Sequence, residues 1–176
     1  MHHFGRMNYR ITKFDPLKRN TDGSYADPAE WTSISDIGKP KYGNPTFEEY
    51  QLIENGYVQA LRQILTANSV TEMEIRDLEL HSTKSDFDDY KKSGRLKNLI
   101  IDFDSEVSQL KNGDKITLER LELLTRLILR ETIWMNMTSE RVKVNFGYDF
   151  YMSVECPPIP SEVVEKIAES GLFLEE

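Results

Sequence analysis

Five groups of residues in this sequence have types and spacings that could do chemistry. Arg126 and Arg130 stand one helical turn apart, after Glu119 and Glu122. Two such guanidinium groups could grip a phosphate or a carboxylate. Glu122 and Arg126 are also a favourable i, i+4 pair, and this mixture of signs favours an internal ion-pair stripe over an anion site. Asp102, Asp104 and Glu106 alternate as calcium ligands do, but a calcium loop needs glycine at its sixth position, where Val107 stands here. On a helix, Asp102 and Glu106 would be a like-charge pair on a solvated face, so no metal site is assigned. Asp86, Asp88 and Asp89 suit the positive start of a helix, with Asp86 as its cap.

The fourth group is Glu30-Trp-Thr-Ser-Ile-Ser-Asp-Ile-Gly38, a tryptophan with hydroxyls and an acid between turn signals. Hydroxyls and Asp stabilise turns by bonding nearby backbone. Loops also carry function, and Trp is enriched at binding hot spots. The fifth group lies in Val142 to Glu155, which alternates apolar and polar without losing step. Strand side chains alternate between faces, so Val142, Val144, Phe146, Tyr148, Phe150, Met152 and Val154 form a core wall. The opposite face carries Asn145, Asp149, Tyr151 and Glu155, acidic with one aromatic, which suits recognition of a basic protein surface. A catalytic face would be expected to hold a His or Lys, and Lys143 is the only candidate. No phosphate-binding loop, nucleophile elbow or zinc-binding His pair is present. The single cysteine, Cys156, cannot form an internal disulfide and reads as a strand-end thiol rather than a nucleophile.

These residues need elements to hold them. Tyr9 to Phe14 predicts a first strand, closed by Asp15-Pro16. Residues 15–45 show only turn punctuation, so they hold either a short strand or hairpin around Tyr25 and Trp31 to Ile34, or a functional loop. Thr46-Phe-Glu-Glu49 is a capping box that opens a helix ending near Asn68. Glu72 to Arg76 predicts a second strand, with a bulge or an end between Ile75 and Leu78. A short acidic helix is expected over 84–94, a further helix over 95–110, and a long, nearly all-round apolar helix from Thr117 to about Trp134. The alternating segment over 141–155 exceeds the usual strand length, so Gly147 predicts a bend, bulge or tight turn. Ser161 caps a last helix to Glu169, and Leu172 to Leu174 can dock as a tail. The order of elements points to a single α+β domain spanning 1–176, about five helices packed on a small, mostly antiparallel sheet. Residues 1–6 are expected to lie outside the ordered fold, with Met7 a possible functional start; His2 and His3 are therefore excluded from chemistry.

The bulk composition limits the function classes. With 176 residues, 39% hydrophobic and 30% charged, the chain has an ordinary globular composition. No apolar run approaches the roughly 18 residues of a membrane helix, and the N-terminus lacks the apolar core of a secretory signal. One thiol and no export signal make the reducing cytoplasm the expected compartment. A net charge of −8 repels phosphate backbones, which disfavours nucleic acid, and it steers basic partners inward.

Four segments carry a resemblance: Tyr9-Arg-Ile-Thr-Lys-Phe-Asp-Pro16, Glu30 to Gly38, Leu129-Arg-Glu131, and Phe146-Gly-Tyr-Asp-Phe-Tyr-Met152. In these the chain resembles a group of small, largely uncharacterised bacterial proteins that look like immunity proteins of toxin systems. The segment before Met7 departs from that pattern. The resemblance implies a protein that binds and neutralises a cognate toxin, and it carries over no catalytic residue; with the acidic balance and the missing catalytic motifs it makes a non-enzymatic inhibitor the expectation, with no cofactor or metal assigned. The expected partner-binding residues are Trp31, Asp36, Asn145, Asp149, Tyr151 and Glu155. The rival reading is a small hydrolase or transferase acting on a phosphorylated or cationic metabolite, its site drawn from Arg126, Arg130, Asp149 and Glu155. A third reading is a self-associating subunit or scaffold.

Overall fold

A computed structural model describes residues 5–24 and 27–176. Its centre is a sheet of seven antiparallel strands: β1 (Met7–Thr12), β2 (Glu72–Glu79), β3 (Lys115–Thr117), β4 (Trp134–Thr138), β5 (Lys143–Phe146), β6 (Met152–Cys156) and β7 (Phe173–Glu175). The strands lie in the order β3-β2-β4-β5-β6-β1-β7. Four α-helices, α1 (Phe47–Ala67), α2 (Lys84–Lys92), α3 (Leu118–Leu129) and α4 (Ser161–Glu169), and one π-turn at Phe103–Val107 complete the fold. This is the expected α+β domain with five helices. No helix among the described residues is long and apolar enough to cross a membrane.

The alternating segment over 141–155 is a hairpin rather than one bent strand, and Gly147 begins its turn. Val144 pairs with Val154 and Phe146 with Met152, so partners across the hairpin have the same parity. The alternation therefore runs through the turn unbroken, which is why it reads as one strand. Val144, Phe146, Met152 and Val154 are buried, as are Ile11, Ile75 and Met137 on neighbouring strands. The complementary positions, such as Arg10, Arg76, Lys143, Asn145 and Ser153, are exposed. The sheet thus has a face covered by helices and a face open to solvent, the usual outcome for an antiparallel sheet. Tyr148 departs from the parity rule: it sits in the turn and is 83% exposed.

Helix α1 begins as its sequence dictates. Thr46 Oγ1 accepts from Glu49 N at 3.1 Å, and Thr46 N donates to Glu49 Oε2 at 2.6 Å. Asn68 closes the helix. The break in β2 is a bulge, with a register shift between Arg76 and Glu79 and Asp77 at φ +50°. The tail docks as β7 on β1. Residues 1–4 lie outside the described residues, whereas Arg6 reaches Glu155 and the Glu140 carbonyl.

Two expectations need correction, and one open choice, between a short strand and a loop, is resolved. The segment 95–110 is not a helix. Asn98 takes φ +63°, and the carbonyls of Arg95 and Lys97 accept from Arg130 Nη1 at 3.0 and 2.8 Å, so a tertiary donor replaces helical ones. Asp102 then caps the separate π-turn through Ser105 N. The long helix stops at Leu129, and the residues after it form β4. Glu131 is left-handed at φ +57°; Glu131 N donates to Ile128 O and Thr132 N to Leu127 O, which is a Schellman closure without glycine. In 15–45 the described residues form three 3₁₀ turns, Pro16–Lys18, Ile34–Asp36 and Pro40–Tyr42, rather than a strand; Tyr25 lies outside the described residues.

Helices α1 and α3 are fixed to one another by a buried ion cluster. Glu54 of α1 and Arg130 at the end of α3 are both fully buried. Arg130 Nε and Nη2 donate to the two Glu54 oxygens at 2.6 and 2.8 Å. Arg126 Nη1 donates to Glu54 Oε2 at 2.8 Å, and the Tyr50 hydroxyl reaches Glu54 Oε1 at 3.3 Å. The Arg130 guanidinium also lies 5.4 Å from the centre of the Phe47 ring. Such a cluster is stable only when every charge is paired and bonded, as here, and removing one partner is costly. Glu54→Gln should therefore destabilise the fold by about 3–5 kcal/mol, measured as a fall in the urea midpoint with the slope unchanged.

Candidate functional site

The β5–β6 turn is the most constrained exposed segment on the sheet. Gly147 N donates to Tyr151 O at 2.7 Å, and Tyr151 N donates to Tyr148 O at 3.2 Å. A Cβ on Gly147 would come within 3.1 Å of the Tyr151 Cβ, so glycine permits this close return. Asp149 and Phe150 follow at φ +56° and +62°. Two consecutive left-handed residues are what a type I′ hairpin turn requires, and Asn-Gly is the usual choice. An L-residue there costs roughly 1–2 kcal/mol; Asp tolerates the region, and an aromatic residue does not readily visit it.

Phe150 stays in this conformation because its surroundings hold it. Its ring packs edge-on to Trp31 with centroids 5.5 Å apart, and lies 5.9 Å from Tyr50 and 5.8 Å from Tyr57. The Tyr57 hydroxyl donates to the Phe150 carbonyl. Burial pushes the Tyr57 phenol far above its ordinary pKa, so it remains a donor. The inward ring therefore anchors the turn, and the two residues before it project outward.

Outside, Tyr148 stacks on Trp134 with ring centroids 5.5 Å apart and planes 28° from parallel. Trp134 opens β4 directly after the α3 closure. Glu131 and Asp149 line the same small recess as these two rings. Glu79 is the cross-strand partner of Trp134, and Asp77 accepts from Asn136 Nδ2 at 3.0 Å. Glu79 lies 3.1 Å from His81, and Glu131 lies 3.8 Å from Arg95. The arrangement is an aromatic pair on an open sheet end, bordered by carboxylates.

The six residues expected from sequence fall into four places. Asp149 belongs to this turn. Trp31 lies behind it, half-buried against Phe150 and Tyr50, with Lys13 Nζ 3.7 Å from its ring centre. Asn145, Tyr151 and Glu155 share the open face, but that stretch is not acidic. Arg6 and Lys143 both bond Glu155, and chiefly the Arg6 hydrogen bond holds its carboxyl below the usual range. Tyr151 is half-buried, 6.1 Å from Phe14 and beneath the Arg10 guanidinium. Asp36 is only 6% exposed; its Oδ2 accepts from Thr32 N and Ser33 N, so it is a turn-capping residue. Arg126 and Arg130 are internal ion pairs with Glu54, and Glu155 lies on the opposite face of the sheet, so the four residues of the rival reading do not converge. The acids at 102–106 are bonded locally and Asp104 pairs with Lys84. Cys156 is buried at the end of β6, and burial raises its thiol to about 11.

Sequence reasoning missed Trp134, Tyr148, Glu131 and Glu54. Tyr148 had a usable signal, since it follows Gly147 and precedes an Asp able to turn left-handed. Trp134 had none, because no glycine marks the end of α3. Compared with protein-family models, with curated proteins and with solved structures, the chain finds no match.

Two outcomes follow from this anatomy. Phe150→Ala should destabilise the protein by about 3–5 kcal/mol, whereas Tyr148→Ala should change stability by no more than about 0.5 kcal/mol, both read from denaturant unfolding. Cys156 should react with an aromatic disulfide reagent only on unfolding, so that labelling of the native protein tracks the unfolding equilibrium.

Proposed function

We propose that the protein is a non-enzymatic binding protein, most concretely a cytoplasmic immunity-type inhibitor that docks a basic toxin domain. The observation that carries this reading is the exposed Tyr148 stacked on the half-buried Trp134, with Asp149 beside it on the open end of the sheet. Exposed aromatics on a rigid frame are the usual anchors of protein interfaces. Carboxylates around them favour a cationic partner, and the net charge of −8 steers such a partner during encounter. The resemblance of the four sequence segments to immunity proteins supports the same conclusion. Trp31 contributes from behind, by holding Phe150. Asn145, Tyr151 and Glu155 extend the proposed contact surface along the open face, and Asp36 supports it by fixing the loop that carries Trp31.

The test is growth protection. The chain is produced in cells that also make a candidate basic toxin domain chosen from the genes neighbouring its own. Wild-type chain should restore growth, and co-purification should retain the toxin at low salt and release it as salt rises. The double variant Tyr148→Ala, Asp149→Lys should fold and lose protection. A chain that retains no protein partner at low salt, or that gives no protection at all, would refute the proposal.

A further inference from the structure

We infer that Trp134 and Tyr148 form a receptor for one arginine side chain of the partner, with Asp149 and Glu131 as its carboxylate wall. The inference rests on the binding reading above and assigns that surface its anchor. Tyr148 is 83% exposed, and its partner ring is offered from the neighbouring strand, so an aromatic surface faces solvent. An aromatic face attracts a cation through its quadrupole, Trp most strongly, and a nearby carboxylate adds its own charge-assisted hydrogen bond to a guanidinium. The Asp149 carboxylate has no partner among the described residues, and Glu131 is held only at 3.8 Å from Arg95 and 3.4 Å from the Ser35 hydroxyl. Both lie in one recess with the two rings. Elsewhere in the fold, cations are already placed this way: Lys13 over Trp31 and Arg10 over Tyr151.

Arginine fits better than lysine for two reasons. Its guanidinium is flat and can lie on a ring, and its fork of N–H donors can serve two carboxylates at once. The receptor is also formed before binding. The left-handed Asp149–Phe150 pair cannot relax while Phe150 is packed against Trp31, Tyr50 and Tyr57 and its carbonyl is bonded to Tyr57. The backbone that carries Tyr148 and Asp149 is therefore set before binding, which lowers the entropy cost of binding.

The experiment is a titration of the full ¹⁵N-labelled chain with acetyl-Gly-Arg-Gly-amide, followed at the Trp134 indole N–H (assigned with Trp134→Phe) and at the amides of 148–150. The citrulline peptide, neutral but of the same shape, and the lysine peptide are the comparisons. The arginine peptide should give saturable shifts confined to these signals, with binding roughly tenfold weaker for citrulline and intermediate for lysine. Tyr148→Ala and Asp149→Asn should each weaken arginine binding severalfold while the thermal midpoint stays in place. Equal shifts with citrulline, shifts centred elsewhere, no saturable shift, or undiminished binding in Tyr148→Ala would each overturn the inference. The two readings fail separately. Toxin protection that survives in Tyr148→Ala removes this anchor and leaves the inhibitor reading standing. A confirmed arginine site in a chain that protects against no toxin does the reverse.

Discussion

The interaction on which most of this structure depends is the buried contact between Glu54 and Arg130. It joins the middle of α1 to the end of α3 and holds the irregular 95–97 backbone at the same time. From it, two routes lead to the open end of the sheet. Along one, Tyr50 bonds Glu54 and packs against Phe150, the inward anchor of the β5–β6 turn. Along the other, Arg130 sits at the closure of α3, four residues before Trp134 enters β4. The two aromatic rings on the surface are therefore positioned from the same buried charge. A fully satisfied ion cluster contributes little net stability compared with apolar residues of the same size, but it specifies one arrangement, because half of it cannot be buried alone.

The second constraint is conformational. Phe150 occupies a backbone region that aromatic residues rarely adopt, and four inward contacts keep it there. Strain of this kind persists where surrounding packing over-determines it, and it gathers where a protein must present side chains in a fixed direction. Here the direction is outward, toward Tyr148 and Asp149. The rest of the open face is different in kind. There Glu155 is paired with Arg6 and with Lys143 of the neighbouring strand, and Glu74 with Arg76 of its own strand. At the turn, Asp149 has no ion-pair partner among the described residues.

Much of the fold was legible from sequence where the local signal and the tertiary structure agree. The Thr46–Glu49 cap, the bulge in β2, the short acidic helix and the buried side of β5 and β6 all follow from spacing and capping chemistry. The failures have specific causes. Arg95 and Lys97 give their carbonyls to Arg130, so a helical pattern of apolar residues did not become a helix. Glu131 does the work of a C-terminal glycine, so the strand after α3 was hidden. The hairpin keeps parity across its turn, so two strands looked like one. The site was half legible. Asp149 was visible in the alternating segment, but Tyr148 was assigned to the core by parity, and Trp134 to a helix. Glu54 was hidden because a single acid among apolar positions of α1 carries no sign of its two arginine partners.

The proposed partner surface is the β5–β6 turn together with the start of β4. The most direct test is hydrogen exchange of the chain alone and in the presence of the basic toxin domain proposed as its partner. The account predicts slowed exchange at the amides of 134–136 and 147–151, with the helical side of the domain unchanged. Slowing confined to α2 and the acidic segment 102–106, with the turn unaffected, would contradict it.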